Sequence, residues 1–355
     1  MYIMAGDKPV VEYDEAFDFK ILDPDLAPLY IKNRGNVKAW IEERAVDPNR
    51  PNSRAVKSRQ GLSKNAAALE TAMKMDAAAI TDNFWVKAET DKRTYQDILF
   101  RKNDFFSLAL YRDFSGLSVQ PSRTPELTNI GAQEKGWKLE DGVWWLYKNE
   151  PIHEIVSEYL TYRIGKALGF DMAEYEIAEN GRFIKTKDFT AGTVNLQHID
   201  AVMRDHEEAG RTVPDDDYAY NYWELLKYSS AMAKQYLNLC TLDALCENYD
   251  RHTKNYGMLT DRRTGKILKL APNYDNNNSL FANYGLSKER KGGLLREFLR
   301  FLDTEGLHIE LPPFSEGVLD DIFKETRDRS GYDFDEAFLK AFILEGYRQL
   351  QKRSR

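Results

Sequence analysis

The sequence predicts an α+β protein in which a strand-rich segment is followed by a largely helical one. Three observations predict it. Short runs of strand-forming composition, punctuated by glycine turns, fall between residues 136 and 186. Aromatic and leucine repeats at helical spacing run from Tyr222 to Cys246. Two apolar runs within 256–270 are joined by a polar stretch that ends in glycine. At 355 residues and 42% hydrophobic, the chain can bury two or three packed subdomains.

Taken in order, residues 1–120 form an extra amino-terminal region, partly helical, with helical patterns near Val37–Val46 and Ser63–Met75; Ser63 is placed to cap the second. Between these patterns, Asp47 to Arg59 carries Pro48, Asn49, Pro51 and Asn52, which argue for a solvated loop. Its basic residues give a lesser reading, contact with an acidic or phosphorylated partner. Residues 121–190 contain a hairpin from Gly136 to Lys148, a helix from His153 to Leu168 ended by Gly169, and strands near Tyr175–Ile177 and Arg182–Thr186. From 191 to 355 helices dominate, with two closing helices at Val318–Arg327 and Phe334–Leu350. The acidic run Asp215–Asp217 after Pro214 reads as a solvated turn, and Cys240 and Cys246, six apart on a helix, read as small core residues.

Charge excludes some classes. With 50 basic and 57 acidic residues the net charge is -7, so no global field draws the chain to nucleic acid or to an anionic membrane. No apolar run approaches the roughly 20 residues that span a bilayer, and the first residues lack the basic and apolar regions of a secretory signal. The expected location is cytoplasmic. The five histidines form no zinc-binding pattern.

The chemistry is concentrated in Asp250-Arg251-His252-Thr253-Lys254-Asn255, followed by Leu270-Ala271-Pro272-Asn273-Tyr274-Asp275. An aspartate, an asparagine five residues on and an isolated acidic residue after an apolar run suit phosphoryl transfer, which needs a carboxylate near the acceptor hydroxyl and hard oxygen ligands for magnesium. Strands at Tyr256–Thr260 and Lys266–Leu270, joined by Asp261–Gly265, would bring Asn255 and Asp275 together. The competing reading is a surface turn with a salt bridge and a strand-capping Tyr-Asp. His252 is expected to brace the loop around Asp250 rather than move a proton.

Asn248 to Gly257 together with Leu270 to Asp275 resembles the catalytic core of HipA-like serine/threonine kinases, and Gly131-Ala132-Gln133-Glu134-Lys135 resembles the phosphate-covering loop of the same family. The resemblance covers roughly 121–345 and finds none of the family's usual amino-terminal sequence in the first third. It implies a bilobal protein-kinase-like fold, with a small β-rich nucleotide lobe at 121–190 and a larger helical lobe at 191–355. It implies Asp250 as catalytic base, Asn255 and Asp275 as magnesium ligands, and the loop Thr128–Gly136, with Gly131, Ala132, Gln133 and Lys135, over the ATP phosphates. Lys148 would meet the α- and β-phosphates, with Lys135 as its competitor. Glu158 would orient that lysine, with Glu154 as the alternative. The segment Phe183–Lys187, with Lys185 and Lys187, would form the adenine-binding hinge.

The implied activity is ATP- and Mg2+-dependent transfer of the γ-phosphoryl group to serine or threonine of a protein substrate. A lipid or small-molecule kinase of the same superfold stands as an alternative, as does a regulatory pseudokinase. A DNA-binding antitoxin-like partner would fit the family. Thr128 occupies the position where the family often carries a phosphorylatable serine, here within Thr128-Asn129-Ile130.

Overall fold

Tyr2–Ala5, Lys8–Tyr13, Phe19–Ile21 and Phe84–Lys87 build an antiparallel sheet in which the first strand lies between the second and the last. In this computed structural model the described residues are 1–355 without 114–122, 204–205, 209–210, 214–216, 283–285, 287 and 355. The sheet has apolar cover on both faces. Ile3, opposite Val86, joins one core cluster with Val11, Trp40 and Ile41, whereas Met4, opposite Trp85, joins another with Val56, Ile98 and Leu127. A strand buried on both sides has no polar alternation, so Tyr-Ile-Met-Ala and Phe-Trp-Val-Lys carry no period-two signal. The sequence reading of this region as partly helical therefore missed a four-stranded sheet.

The chain divides into two compact units. The first comprises Met1–Asn149, Lys185–Gln197 and Met258–Leu268; the second comprises Glu150–Ile184, His198–Gly257 and Lys269–Arg355.

Within the first unit, the expected helices are shorter than their patterns, at Val37–Glu42 and Ala68–Met73. Asn36 caps the former by accepting from the Ala39 amide, while Ser63 caps nothing helical and accepts instead from the Asn65 amide in a turn. The solvated loop expected at Asp47–Arg59 is not one. Ser53–Arg59 is helical, and Arg50, Asn52, Ser53 and Lys57 are buried. Backbone carbonyls meet these polar groups: Lys57 Nζ donates to Ala66 O at 3.0 Å and Asn52 Nδ2 to Ala109 O at 2.7 Å. Buried donors with carbonyl partners are tolerated, which is how a basic, proline-bearing segment enters the interior.

The hairpin of Glu134–Glu140 and Val143–Asn149 turns at Asp141 and Gly142, both at positive φ (49° and 81°), the two-residue arrangement whose twist matches its strands. Its register sets Lys135 opposite Lys148. The second hairpin, Gly257–Asp261 with Ile267–Leu270, joins Val194–His198 in a three-stranded sheet. Asp261 Oδ1 accepts from the amides of Arg263 and Thr264, and Gly265 closes the turn by donating its N–H to Asp261 O at 2.8 Å.

The second unit is mainly helical. Ile152–Ala167 ends before Gly169 at φ 72°, and Tyr218–Tyr228 and Ser230–Cys246 are parted at Ser229, whose side chain caps the latter through the Met232 amide. Asp217 caps the Tyr218 helix through the Tyr220 amide, while Asp215 and Asp216 lie outside the described residues. Gly293–Glu305, Glu316–Ser330 and Glu336–Gln351 follow; the first of these has no counterpart in the sequence reading. Arg290, 4% exposed, donates to the carbonyls of Ala244 and Leu245 and to Glu247, and so closes the end of the Ser230–Cys246 helix. Cys240 and Cys246 are buried free thiols, and burial pushes the Cys246 thiol up to about 12. Among the described residues no helix is long and apolar enough to cross a membrane.

Gly265 has φ 69°, and a Cβ there would come within 1.8 Å of the Asp25 carbonyl oxygen. The Gly265→Ala variant should lose about 1–2 kcal/mol from the left-handed backbone alone, and more from displacing the Asp25 segment. Thermal unfolding checks this, and a midpoint equal to the parent's would refute it.

Candidate functional site

The Ser230–Cys246 helix is almost wholly apolar over Leu239–Cys246 except for Asp243, which is 2% exposed. A carboxylate in such a place requires a partner. Arg251 supplies it, with Nε and Nη2 each 2.9 Å from a different Asp243 oxygen in a two-point pair. The remaining guanidinium donors reach two loops at once. Nη1 donates to Asn255 O at 2.6 Å and Tyr274 O at 2.8 Å; Nη2 reaches Asn273 Oδ1 at 3.1 Å and Asn276 Oδ1 at 2.7 Å. Burial opposes the charge on Arg251, but Asp243 outweighs it and holds the guanidinium above its ordinary range.

Around this hub the loop of Asp250 closes on itself. Asn255 N–H donates to His252 O and Asn255 Nδ2 to Asp250 O, both at 2.8 Å. The amide nitrogen is thereby spent on the backbone, and Oδ1 is the atom Asn255 has left to offer a metal. His252 Nδ1 accepts from the Lys254 amide at 3.2 Å, a bracing contact. Asn248 links the loop to the helix, donating to Asp243 at 2.9 Å and accepting from the Asp250 amide at 3.4 Å. The hairpin ends are tied by Ala271 N–H to Gly257 O at 2.8 Å, which brings the segment of Asp275 back beside the loop.

Asp275 holds φ 63°, a left-handed conformation that strains a non-glycine residue, and Tyr175 Oη accepts its amide at 3.0 Å. The next amide, that of Asn276, donates to Glu158 Oε1 at 3.2 Å, and Asn277 Nδ2 donates to Glu150 at 3.1 Å and Glu154 at 3.4 Å. Glu158, fully buried, and its competitor Glu154 thus both brace the chain just after Asp275. Burial raises the Asp250 carboxyl above its ordinary value; His252 opposes the shift, Asp275 adds to it and Arg251 opposes it. The two carboxylates feel each other. An anionic oxygen from Asp275 and a neutral one from Asn255 are the hard donors magnesium takes, so the residues present fit that ion.

In the first unit, Thr128–Gly136 begins at a buried Thr128, whose hydroxyl donates to Pro125 O at 3.3 Å. Gly131 has φ 100°, and a Cβ there would sit 2.4 Å from Lys135 Nζ: the lysine folds over the glycine. Ala132 and Gln133 are exposed. Lys135 and Lys148, being cross-strand partners, share a face, and both are buried (9% and 4% exposed). Lys185 Nζ donates to Glu140 at 2.9 Å and lies 4.2 Å from the Trp145 ring centre, so its side chain serves the sheet. Lys187 ends the same strand, Phe183–Lys187.

Sequence reasoning did not single out Asp243, Asn248, Tyr175 or Asn276, and did not give Arg251 its central part. One signal was present: a lone aspartate inside an apolar helical run implies a buried cation elsewhere.

The family model of the HipA-like C-terminal domain matches residues 128–329, more than half of the chain. The chain belongs to the HipA-like family. The segments that resembled it, 131–135, 248–257 and 270–275, all lie inside the match. No curated protein matches the chain. Among solved structures, the Shewanella oneidensis MR-1 HipA toxin–antitoxin complex with HipB and operator DNA aligns at a TM-score of 0.55 and 15% identity, covering 99% of both chains. The Helicobacter pylori proinflammatory kinase CtkA aligns at 0.41 and 16% identity over 62% of this chain and 90% of its own. The Rio2 kinase complex of Chaetomium thermophilum aligns at 0.30 and 14%, over 78% of this chain and 80% of its own. The HipA likeness gives a mixed α/β fold shared with that protein. It extends through the amino-terminal third, where the sequence had shown no family trait.

Arg251→Met in this HipA-like chain should lower unfolding stability by about 3–5 kcal/mol, because it leaves Asp243 buried without its cation. The Arg251→Met/Asp243→Leu double variant should recover much of that loss. Denaturant unfolding of both checks the pair, and equal losses in the two would refute it.

Proposed function

We propose that the chain is an ATP- and Mg2+-dependent kinase that transfers the γ-phosphoryl group to serine or threonine of a protein substrate. The observation that carries this reading is the Asp250–Asn255–Asp275 set, assembled by one buried guanidinium within a HipA-like match. Bound ATP would bring the phosphoryl group, and magnesium the charge that neutralises its oxygens. The chain's own residues do the rest. Asp250 accepts the proton of the acceptor hydroxyl; Asn255 Oδ1 and the Asp275 carboxylate hold the metal; Lys148, with Lys135, meets the phosphates; and Gly131, Ala132 and Gln133 offer a turn that approaches them closely. Glu158 supports the loop that follows Asp275. The backbone of Lys185–Lys187 would meet adenine.

HipA of Shewanella oneidensis was solved with HipB and operator DNA, and an antitoxin-like DNA-binding partner is proposed here by that analogy. Co-purification of such a partner from the source cells tests it. The kinase reading is tested with purified protein, labelled ATP and Mg2+ against a proteome extract: label on Ser/Thr of protein supports it, label on lipid or small molecules would shift the acceptor class, and no transfer would reject it.

Two substitutions are diagnostic. Asp250→Asn should lower transfer by about 10²–10⁴-fold with ATP affinity nearly unchanged, since the residue serves the acceptor and not the nucleotide. Full turnover in the variant would remove Asp250 from its role. Asp275→Ala should weaken Mg2+-dependent ATP binding more than Asn255→Ala does, by a further ~1 kcal/mol or about fivefold, because an anionic ligand contributes charge that an amide oxygen lacks. Calorimetry with and without Mg2+ measures both, and an Asp275 effect that persists without metal would contradict it.

A further inference from the structure

Arg50 stands in the segment that the sequence presents as a solvated loop, yet it is 2% exposed. Its guanidinium is directed at one feature. Nε donates to Gly131 O at 3.0 Å, and Nη2 donates to Gly131 O at 2.9 Å and to Asn129 O. Nη1 lies 3.9 Å from Glu126 Oε2, which supplies the counter-charge. Glu126 is itself fixed, accepting from the Trp137 amide at 3.0 Å and Asn103 Nδ2 at 2.8 Å. Burial pushes the Glu126 carboxyl up to about 7 against the pull of Arg50, as expected where both charges have left water.

The consequence lies in peptide geometry. Among the described residues no peptide bond is cis, and in a trans peptide the N–H points opposite to the C=O of the same unit. With the carbonyls of Asn129 and Gly131 held on Arg50, the N–H groups of Ile130 and Ala132 face the other way, and Ile130 and Ala132 are exposed. Among the described residues no acceptor meets either amide. Amides aimed together to one side form an anion-binding concavity. A free loop would have no reason to keep that orientation. Lysine could replace the charge of Arg50 but not its planar fork.

We infer that Arg50 is a positioning residue, which aims the backbone amides of the glycine loop at the phosphates of the nucleotide. The inference rests on the kinase reading above and gives residues 1–120 a part in it: the amino-terminal region braces the loop from behind. Arg50 touches no substrate. Its effect should be confined to the phosphate end of the ligand.

The test separates aiming from folding. Arg50→Met alone would strand Glu126 in the interior, so the Arg50→Met/Glu126→Gln double variant removes both charges and keeps an acceptor for Trp137 and Asn103. Its unfolding midpoint should lie close to the parent's. Its affinity for Mg2+-ATP should fall about tenfold or more, with adenosine binding unchanged, and the KM for ATP should rise more than kcat falls. Arg50→Lys, which retains the charge, should fold and show an intermediate loss for ATP. ATP affinity preserved in a folded double variant, or ATP and adenosine weakened alike, would overturn the inference and leave the kinase reading standing. A parent protein that binds no ATP would overturn both.

Discussion

The segment of Asp250 depends on one buried ion pair, Asp243 with Arg251. Asp243 lies in a helix packed on all sides, where a lone carboxylate would be untenable. Once Arg251 answers it with two of its five donors, the other contacts of the guanidinium are set by geometry, and they fall on Asn255, Asn273, Tyr274 and Asn276. The loop of Asp250 and the loop of Asp275 are therefore located against the same helix and, through Arg251, against each other. Moving either would break a hydrogen bond to a buried charge, which costs more than breaking one between neutral groups. The same anchoring lets Asp275 keep its left-handed backbone.

Charge is distributed with the same economy. The second unit collects carboxylates near Asp275, with Glu150, Glu154 and Glu158 each bonded to the asparagines that follow. These bonds go to amide N–H groups, neutral donors that hold an acidic residue without discharging it. In the first unit Lys135 and Lys148 oppose each other across a strand pair.

What the sequence showed and what it concealed divide along a physical line. Asp250, Asn255 and Asp275 were legible as a set, since their spacing follows from a loop and hairpin whose turn glycine, Gly265, is itself visible. The Glu134–Asn149 hairpin and the Ile152–Ala167 helix were legible from local periodicity. The amino-terminal sheet was not, because two buried faces erase the alternation that marks a strand. Arg50 was hidden for the opposite reason. Its neighbours are polar and proline-bearing, and what draws it inward is a set of carbonyls some 80 residues away, at Asn129 and Gly131.

Arg50 and Arg251 then pose the same problem twice, in separate units, and the chain answers both in one way. Each guanidinium is withdrawn from water, each is balanced by one acidic residue that is also buried, and each directs further donors to backbone carbonyls of a loop. Arginine suits this because five donors in a fixed plane reach several acceptors at once, and because its pKa survives burial where a lysine would neutralise. A carbonyl held by a buried arginine also fixes the amide on the far side of the same peptide plane, so a charge inside the protein determines which way a polar group outside it points. In each unit, then, the buried charge and the loop it holds are parts of one device, and neither would be stable in its present place without the other.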